Sequence, residues 1–324
     1  MTTHSTKELQ KRPEVIQLRA FPVSNEHYER LCEQTRVRLL TPTELLALPE
    51  SERATVLGLM PTILDPVDRE LLDALPALCA ISNYGAGLNH IDLAYAEQRG
   101  ITVKNTPGVL SAATADLTFG LILATCRRMV SSDRIMRDQA FSGWTPDYHL
   151  GLEVTGRTLG LVGMGDIGQA VAKRAMGFDM PILYHNRQRL PQSIESRYNA
   201  QYCSFEALLQ QSDIVSVHTP LTPETHHLFN ADTFSQMKPG SVLINTARGP
   251  VVDEQALVNA LQSRHLYAAG LDVYEQEPKV HPDLITMEQV VLTAHIGSAT
   301  DTTRQNMGDL TVQNMIEMLE SPGD

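Results

Sequence analysis

Arg248, Glu277 and His295 are three polar side chains that each stand just past an apolar run. Arg248 follows Val242-Leu243-Ile244-Asn245-Thr246-Ala247, Glu277 follows Ala268 to Val273 after a short loop, and His295 follows Val291-Leu292-Thr293-Ala294. If those runs are strands of an open α/β sheet, their carboxyl ends line the crevice in which such sheets bind ligands. A planar guanidinium there can fork onto a carboxylate while polarising a neighbouring carbonyl, which a lysine does less well. An imidazole titrating near neutrality can give or take the proton that accompanies hydride transfer, and a carboxylate beside it favours the imidazolium. Each residue alone has a plain structural reading: a salt bridge for Arg248, a solvated loop beside Pro278 for Glu277, a satisfied core histidine for His295. Together, beside a cofactor loop, they describe a site that reduces a 2-oxo acid.

The cofactor loop is Gly163-Met164-Gly165-Asp166-Ile167-Gly168, set between the apolar Thr158-Leu159-Gly160-Leu161-Val162 and the helical pattern Gln169 to Ala175. Glycine clusters also mark ordinary turns. A strand before and a helix after make this one a dinucleotide loop: the first glycine permits the tight turn, the second lets backbone approach a pyrophosphate, and the third packs helix on strand. Enzymes that use NAD place an Asp or Glu after the second strand to bind the ribose hydroxyls. Here that position reads His185-Asn186-Arg187-Gln188-Arg189, without a carboxylate. Arg187 can stack on adenine and pair with a 2′-phosphate, Arg189 is nearby, and Asn186 can donate without repelling it. NADPH is therefore favoured, with NADH as the alternative and a solvated arginine loop as the plain reading.

The elements that must position these groups follow from hydrophobic periodicity. Short apolar runs alternate with helical patterns at Glu14 to Arg19, Asn25 to Cys32, Ala54 to Met60, Asp65 to Leu75, Leu78 to Tyr84, Ile91 to Arg99 and Ile101 to Asn105. This is the alternation of parallel strands with crossover helices. Thr106-Pro107-Gly108 breaks it, a candidate hinge, and Ser111 is placed to cap a long helix running through Met129. Further strands are expected at Arg157 to Val162, Ile182 to Tyr184, Ile214 to Val217, Val242 to Asn245, Ala268 to Leu271 and Val290 to Leu292. Ser298 or Thr300 caps a last helix to about Leu319, which has no sheet left to join and is expected to return to the first domain; Ser321-Pro322-Gly323 ends it.

The chain has 324 residues, 42% hydrophobic and 20% charged, with a net charge of −12 and its 26 basic residues scattered. That is two domains' worth of soluble enzyme, without a broad basic patch for nucleic acid or an anionic membrane. Cys32, Cys79, Cys126 and Cys203 lie far apart in mostly apolar contexts and read as reduced, buried thiols. No metal site is expected. The first 13 residues are polar, without an apolar h-region, and read as a disordered tail; Leu117 to Cys126 is half a membrane span. A cytoplasmic location is expected.

On Asn245-Thr246-Ala247-Arg248-Gly249, Asp272-Val273-Tyr274-Glu275-Gln276-Glu277-Pro278 and His295-Ile296-Gly297-Ser298, nearly the whole chain resembles the D-isomer-specific 2-hydroxyacid dehydrogenase family. The branch it resembles contains the glyoxylate/hydroxypyruvate and 2-ketogluconate reductases. The resemblance implies an α/β chain of two Rossmann-like or flavodoxin-like domains with parallel sheets and an active site in the interdomain cleft. Residues 1–107 and 297–324 would form the substrate domain and 108–296 the dinucleotide domain.

It further implies that Arg248 binds the substrate's carboxylate and carbonyl, that His295 is the general acid in reduction, and that Glu277 tunes it. Asp272 would contact the nicotinamide carboxamide. Ala86 and Gly87 of Asn83-Tyr84-Gly85-Ala86-Gly87 would seat the carboxylate, Ala86 replacing the usual valine. His218, Thr219, Pro220 and Thr225 would lie along the cofactor, with Thr114, Thr246, Ala247 and Gly297 as further cofactor positions. Trp144 either reaches the partner subunit's site or packs a homodimer, and Met60, Tyr84, Trp144 and Ser298 are candidates to shape the pocket. Phosphonate oxidation by a neighbouring branch and a nucleotide-sensing, corepressor-like binding role are the competing readings.

Overall fold

The computed structural model describes residues 12–320. Most of the expected N-terminal tail and the expected stop at Ser321-Pro322-Gly323 lie outside them. The chain divides after Leu110 and after Gly297 into two compact units.

The first unit holds a five-stranded parallel sheet of β1 (Glu14–Gln17), β2 (Arg36–Leu39), β3 (Val56–Met60), β4 (Ala80–Ser82) and β5 (Thr102–Lys104), in the order β2-β1-β3-β4-β5. Its last helix, Asp301–Glu320, is capped by Thr300, whose Oγ1 accepts from the Thr303 N–H at 3.2 Å. Val312, Met315, Ile316 and Met318 of this helix bury themselves with Val15, Leu31, Met60 and Ala80. Met60 is thus a core residue, not a pocket wall. Tyr84 is also buried, stacked on Phe21 at 4.6 Å with its hydroxyl donating to the Arg304 carbonyl. The helix approaches closely enough that a Cβ on Gly308 would overlap the Pro22 carbonyl oxygen. Met315 is fully buried, so Met315→Ala is expected to cost about 2–5 kcal/mol in urea unfolding; a loss well under 1 kcal/mol would show that this helix contributes little to the unit.

The second unit, Ser111–Gly297, holds seven parallel strands. They are β6 (Leu159–Val162), β7 (Ile182–His185), β8 (Ala200–Tyr202), β9 (Ile214–Val217), β10 (Ser241–Asn245), β11 (Leu266–Leu271) and β12 (Val290–Leu292). Their order is β12-β11-β10-β9-β6-β7-β8. The inner strands are continuously buried, as expected where helices cover both faces. The chain leaves β6 for β7 on one side and later returns to β9 on the other, which makes the β6–β9 junction the topological switch point. On the opposite half, β10, β11 and β12 are consecutive neighbours.

The helix beginning at Ser111 stops at Cys126, not at Met129, and a second one runs Met129–Arg137. The incoming chain takes the helix's end: the Leu152 N–H donates to the Cys126 carbonyl at 2.8 Å, and Gly151 lies so close that a Cβ would overlap that oxygen. Arg128 turns the corner at φ 53°.

Candidate active site

Val162 of β6 pairs with Val217 of β9, so the glycine loop and the His218-Thr219-Pro220 segment leave the sheet side by side. Gly163 adopts φ +94°, and a Cβ there would sit 2.8 Å from the His218 carbonyl carbon. Gly168 packs on the Gly163 carbonyl, while a Cβ on Gly165 would meet nothing within 4 Å. The ten-residue helix Asp166–Ala175 begins with no side chain capping it. Its first amides are therefore available to an anion, with Asp166 and Ile167 in its first turn.

The loop is held from below. Asn186 Oδ1 accepts from the Met164 N–H at 2.7 Å, and the His185 carbonyl from Gly163 N–H at 3.0 Å. Asn186 is thus first a loop anchor, leaving its amide NH₂ for other partners. Arg187 is exposed and makes no hydrogen bond or ion pair among the described residues, its charge helping to depress the Glu224 carboxyl. Arg189 is engaged elsewhere: its Nε and Nη2 donate to both oxygens of Glu195 at 2.8 Å, and the Tyr184 hydroxyl adds a third donor at 2.6 Å. Hydrogen bonds from Arg189 and Tyr184 hold the Glu195 carboxyl down at about 2, so Arg189 is a structural arginine rather than a second phosphate ligand.

The remaining cofactor candidates cluster around this junction. Thr225 Oγ1 donates to the Pro220 carbonyl at 2.7 Å and accepts from the Thr222 N–H, stapling its own loop. His218 lies 2.8 Å from Ser216 Oγ through Nε2, and burial lowers its pKa to about 4, so it is neutral at pH 7. Thr118 Oγ1 donates to the Thr114 carbonyl and lies 2.9 Å from Thr246 Oγ1, joining the helix Ser111–Cys126 to the end of β10.

Arg248, Glu277 and His295 stand past the neighbouring strands β10, β11 and β12. The turn after β10 is stapled by Asn245, whose Oδ1 accepts from Ala247 N–H and whose Nδ2 donates to the Arg248 carbonyl, both at 3.0 Å. Gly249 then runs against the next loop, where a Cβ would overlap the Tyr274 carbonyl. Burial pulls the Arg248 guanidinium below its ordinary value, opposed by the charge of Glu277.

Glu277 Oε2 lies 2.8 Å from His295 Nδ1, and its Oε1 accepts from the Tyr274 N–H at 3.0 Å. Burial by itself would raise the Glu277 carboxyl; the His295 hydrogen bond and charge, the Tyr274 amide and Arg248 more than offset it, leaving a net downward shift. His295 Nε2 has no partner among the described residues. The ring's backbone sits at φ +52°, in the left-handed region. It is pinned by Asp272, whose carbonyl takes the His295 N–H at 2.9 Å and whose buried carboxylate takes Thr293 Oγ1, Ile296 N–H and Gly297 N–H at 2.6–2.8 Å. Asp272 fixes the histidine turn, a role with no mark in the sequence because its partners are mostly backbone amides. Asn245 did carry a signal, an Asn at a strand end.

In the first unit, Asn83 Nδ2 donates to the carbonyls of Gly85 and Gly87 at 3.0 Å, and Asn105 Nδ2 to that of Ala86 at 2.6 Å. These carbonyls are thus taken by side-chain amides, and no described residue accepts from the Ala86 or Gly87 N–H. Trp144, in the second unit, is 77% exposed. No group of three or more His, Cys, Asp or Glu among the described residues is placed to hold a metal ion, and no described helix is long and apolar enough to cross a membrane. Of the cysteines, Cys126 is buried, Cys79 and Cys203 are half-buried, and Cys32 is exposed, against expectation.

The family model for the NAD binding domain of D-isomer specific 2-hydroxyacid dehydrogenases matches residues 119–297. A glyoxylate reductase of Thermococcus litoralis is 47% identical over 263 residues, 80% of this chain and 79% of its own. The chain belongs to the D-isomer-specific 2-hydroxyacid dehydrogenase family. As a D-2-hydroxyacid dehydrogenase it is an oxidoreductase, and it stands with the glyoxylate reductases. The structure of a glyoxylate reductase from Paecilomyes thermophila matches with a TM-score of 0.90 and 34% identity, covering 96% of this chain and 97% of that one. An NADPH-dependent glyoxylate/hydroxypyruvate reductase from Sinorhizobium meliloti, solved with NADP and malonate, matches with a TM-score of 0.86 and 33% identity over 97% and 95%. The two parallel sheets described above are thus those of 2-hydroxyacid dehydrogenases.

Proposed function

We propose that the protein reduces small 2-oxo acids to D-2-hydroxy acids with NADPH, glyoxylate and hydroxypyruvate first and 2-ketogluconate second. The observation that carries this is the His295–Glu277 pair at 2.8 Å with Arg248 on the neighbouring strand end. His295, oriented through Nδ1 and open at Nε2, gives its proton to the carbonyl oxygen; Glu277 keeps the ring oriented. Arg248 holds the carboxylate and polarises the carbonyl. In the first unit, the N–H groups of Ala86 and Gly87 have no acceptor among the described residues and suit a carboxylate.

A nicotinamide nucleotide, when bound, supplies the hydride. The residues suit one: Gly165 leaves open space over an uncapped helix start, Gly163 and Gly168 give the turn its shape, and His218, Thr219, Pro220, Thr225, Thr114, Thr246, Ala247, Asp272 and Gly297 surround the same strand ends. Arg187 favours the 2′-phosphate, in keeping with the NADPH-dependent relative. Arg187→Ala is expected to raise the KM for NADPH by about 10- to 100-fold, the worth of a charged hydrogen bond, and to leave that for NADH nearly unchanged. Equal effects on both would end the assignment.

Steady-state assays of glyoxylate, hydroxypyruvate, 2-ketogluconate and phosphite with each nucleotide test the whole reading, and no turnover of any 2-oxo acid would overturn it. Exposed Met129, Val130, Met136, Phe141, Trp144 and Leu150 support pairing of two copies through the 129–150 segment. Sedimentation as a monomer at assay concentration would exclude that.

A further inference from the structure

We propose that Glu275 is a positioning residue of this site: bridging His227 and the first amide of the helix Glu254–Gln262, it fixes the loop that sets Glu277 against His295. The inference rests on the assignment of Arg248, Glu277 and His295 made above.

Glu277 is held by one backbone amide and by the ring it orients, so the placement of its carboxylate depends on what holds its loop. Two residues earlier, Glu275 binds in three directions. Its Oε1 lies 2.8 Å from His227 Nε2, its Oε2 accepts from the Glu254 N–H at 3.3 Å, and its own N–H donates to Glu254 Oε1 at 2.9 Å. The exchange between Glu254 and Glu275 resembles a capping box made across two segments.

His227 brings in a third segment. Its N–H donates to the Pro250 carbonyl at 2.9 Å, and Phe229 N–H to that of Val251 at 3.0 Å. The turn they grip is the one that follows Arg248 through Gly249, itself pressed on Tyr274 and Glu275. Glu275 therefore ties together the loop bearing Glu277, the turn bearing Arg248 and the start of the next helix. The charged and titratable groups around it are His227, His226 stacked on His227 at 4.1 Å, Glu254, whose carboxyl burial raises, and His281, which meets Gln255 at 3.2 Å.

Removing the bridge lets Glu277 drift from the His295 ring. Glu275→Ala is expected to lower kcat roughly ten- to a hundredfold, the cost of misplacing a group by about an ångström, with nucleotide affinity kept. Glu275→Gln can still accept from Glu254 N–H and donate to the ring nitrogen, so it is expected to keep kcat within about threefold. His227→Ala carries the same test on a less buried side chain should Glu275→Ala fail to fold. A Glu275→Ala enzyme that loses only thermal stability, with kcat unmoved, overturns the proposal, as does a Glu275→Gln enzyme no better than the alanine variant. Retained turnover in His295→Asn would instead strike the underlying site assignment.

Discussion

His295→Asn is expected to lower kcat for 2-oxo acid reduction by about 10²- to 10⁴-fold, the range for removing a positioned general acid, without weakening nucleotide binding. Asparagine can still reach Glu277 but has no proton to deliver at the position of Nε2. Because Glu277 is shifted downward, it remains a carboxylate from mildly acidic pH upward. Reduction consumes a proton and oxidation of the hydroxy acid releases one, so the two directions follow opposite limbs of the pH profile. The asparagine variant should lose both limbs. Steady-state rates in each direction across neutral and alkaline pH check this; a variant that retains the wild-type profile would remove His295 from proton transfer.

Arg248→Ala is expected to lower kcat/KM by about 10²- to 10³-fold, as when one partner of a buried charged pair is removed, while thermal stability holds or rises. The two effects separate because the guanidinium is largely buried, and its described hydrogen bond is to its neighbour's carbonyl at 2.5 Å, with Glu277 as an electrostatic partner. A largely buried arginine with no ion pair among the described residues adds little to the fold, so removing it should not weaken it. Arg248→Lys should restore charge but little activity, since a point charge cannot fork onto a carboxylate. Melting temperature and kinetics measured on the same preparations decide it: a large loss of stability in the alanine variant would make Arg248 a structural residue.

Much of this was legible from residue order. The strands that carry the site are continuous apolar runs, because parallel strands covered on both faces have no polar side to interrupt the pattern. The strands that escaped, Arg36–Leu39 and Ala200–Tyr202, are short sheet edges, where Arg-Val-Arg-Leu and Ala-Gln-Tyr show neither a run nor a clear alternation. The pairing of Glu277 with His295 followed from positions at neighbouring strand ends. The partner of Arg189 did not, because Glu195 lies on the following helix, and a charge six residues away announces no contact. Met60 and Tyr84 looked like pocket residues for a related reason: nothing local shows that the last helix and Phe21 cover them. Asp272 hides most completely, since backbone amides of every residue type look alike in a sequence.

Three glycines of one short loop answer to two different masters. Gly163 and Gly168 are required by the chain itself, the one by its backbone angle and by His218, the other by the carbonyl of Gly163. Gly165 is required by nothing in the polypeptide. The first two glycines serve the turn itself, whereas the third leaves empty space over a helix start, room that only something outside the chain could use.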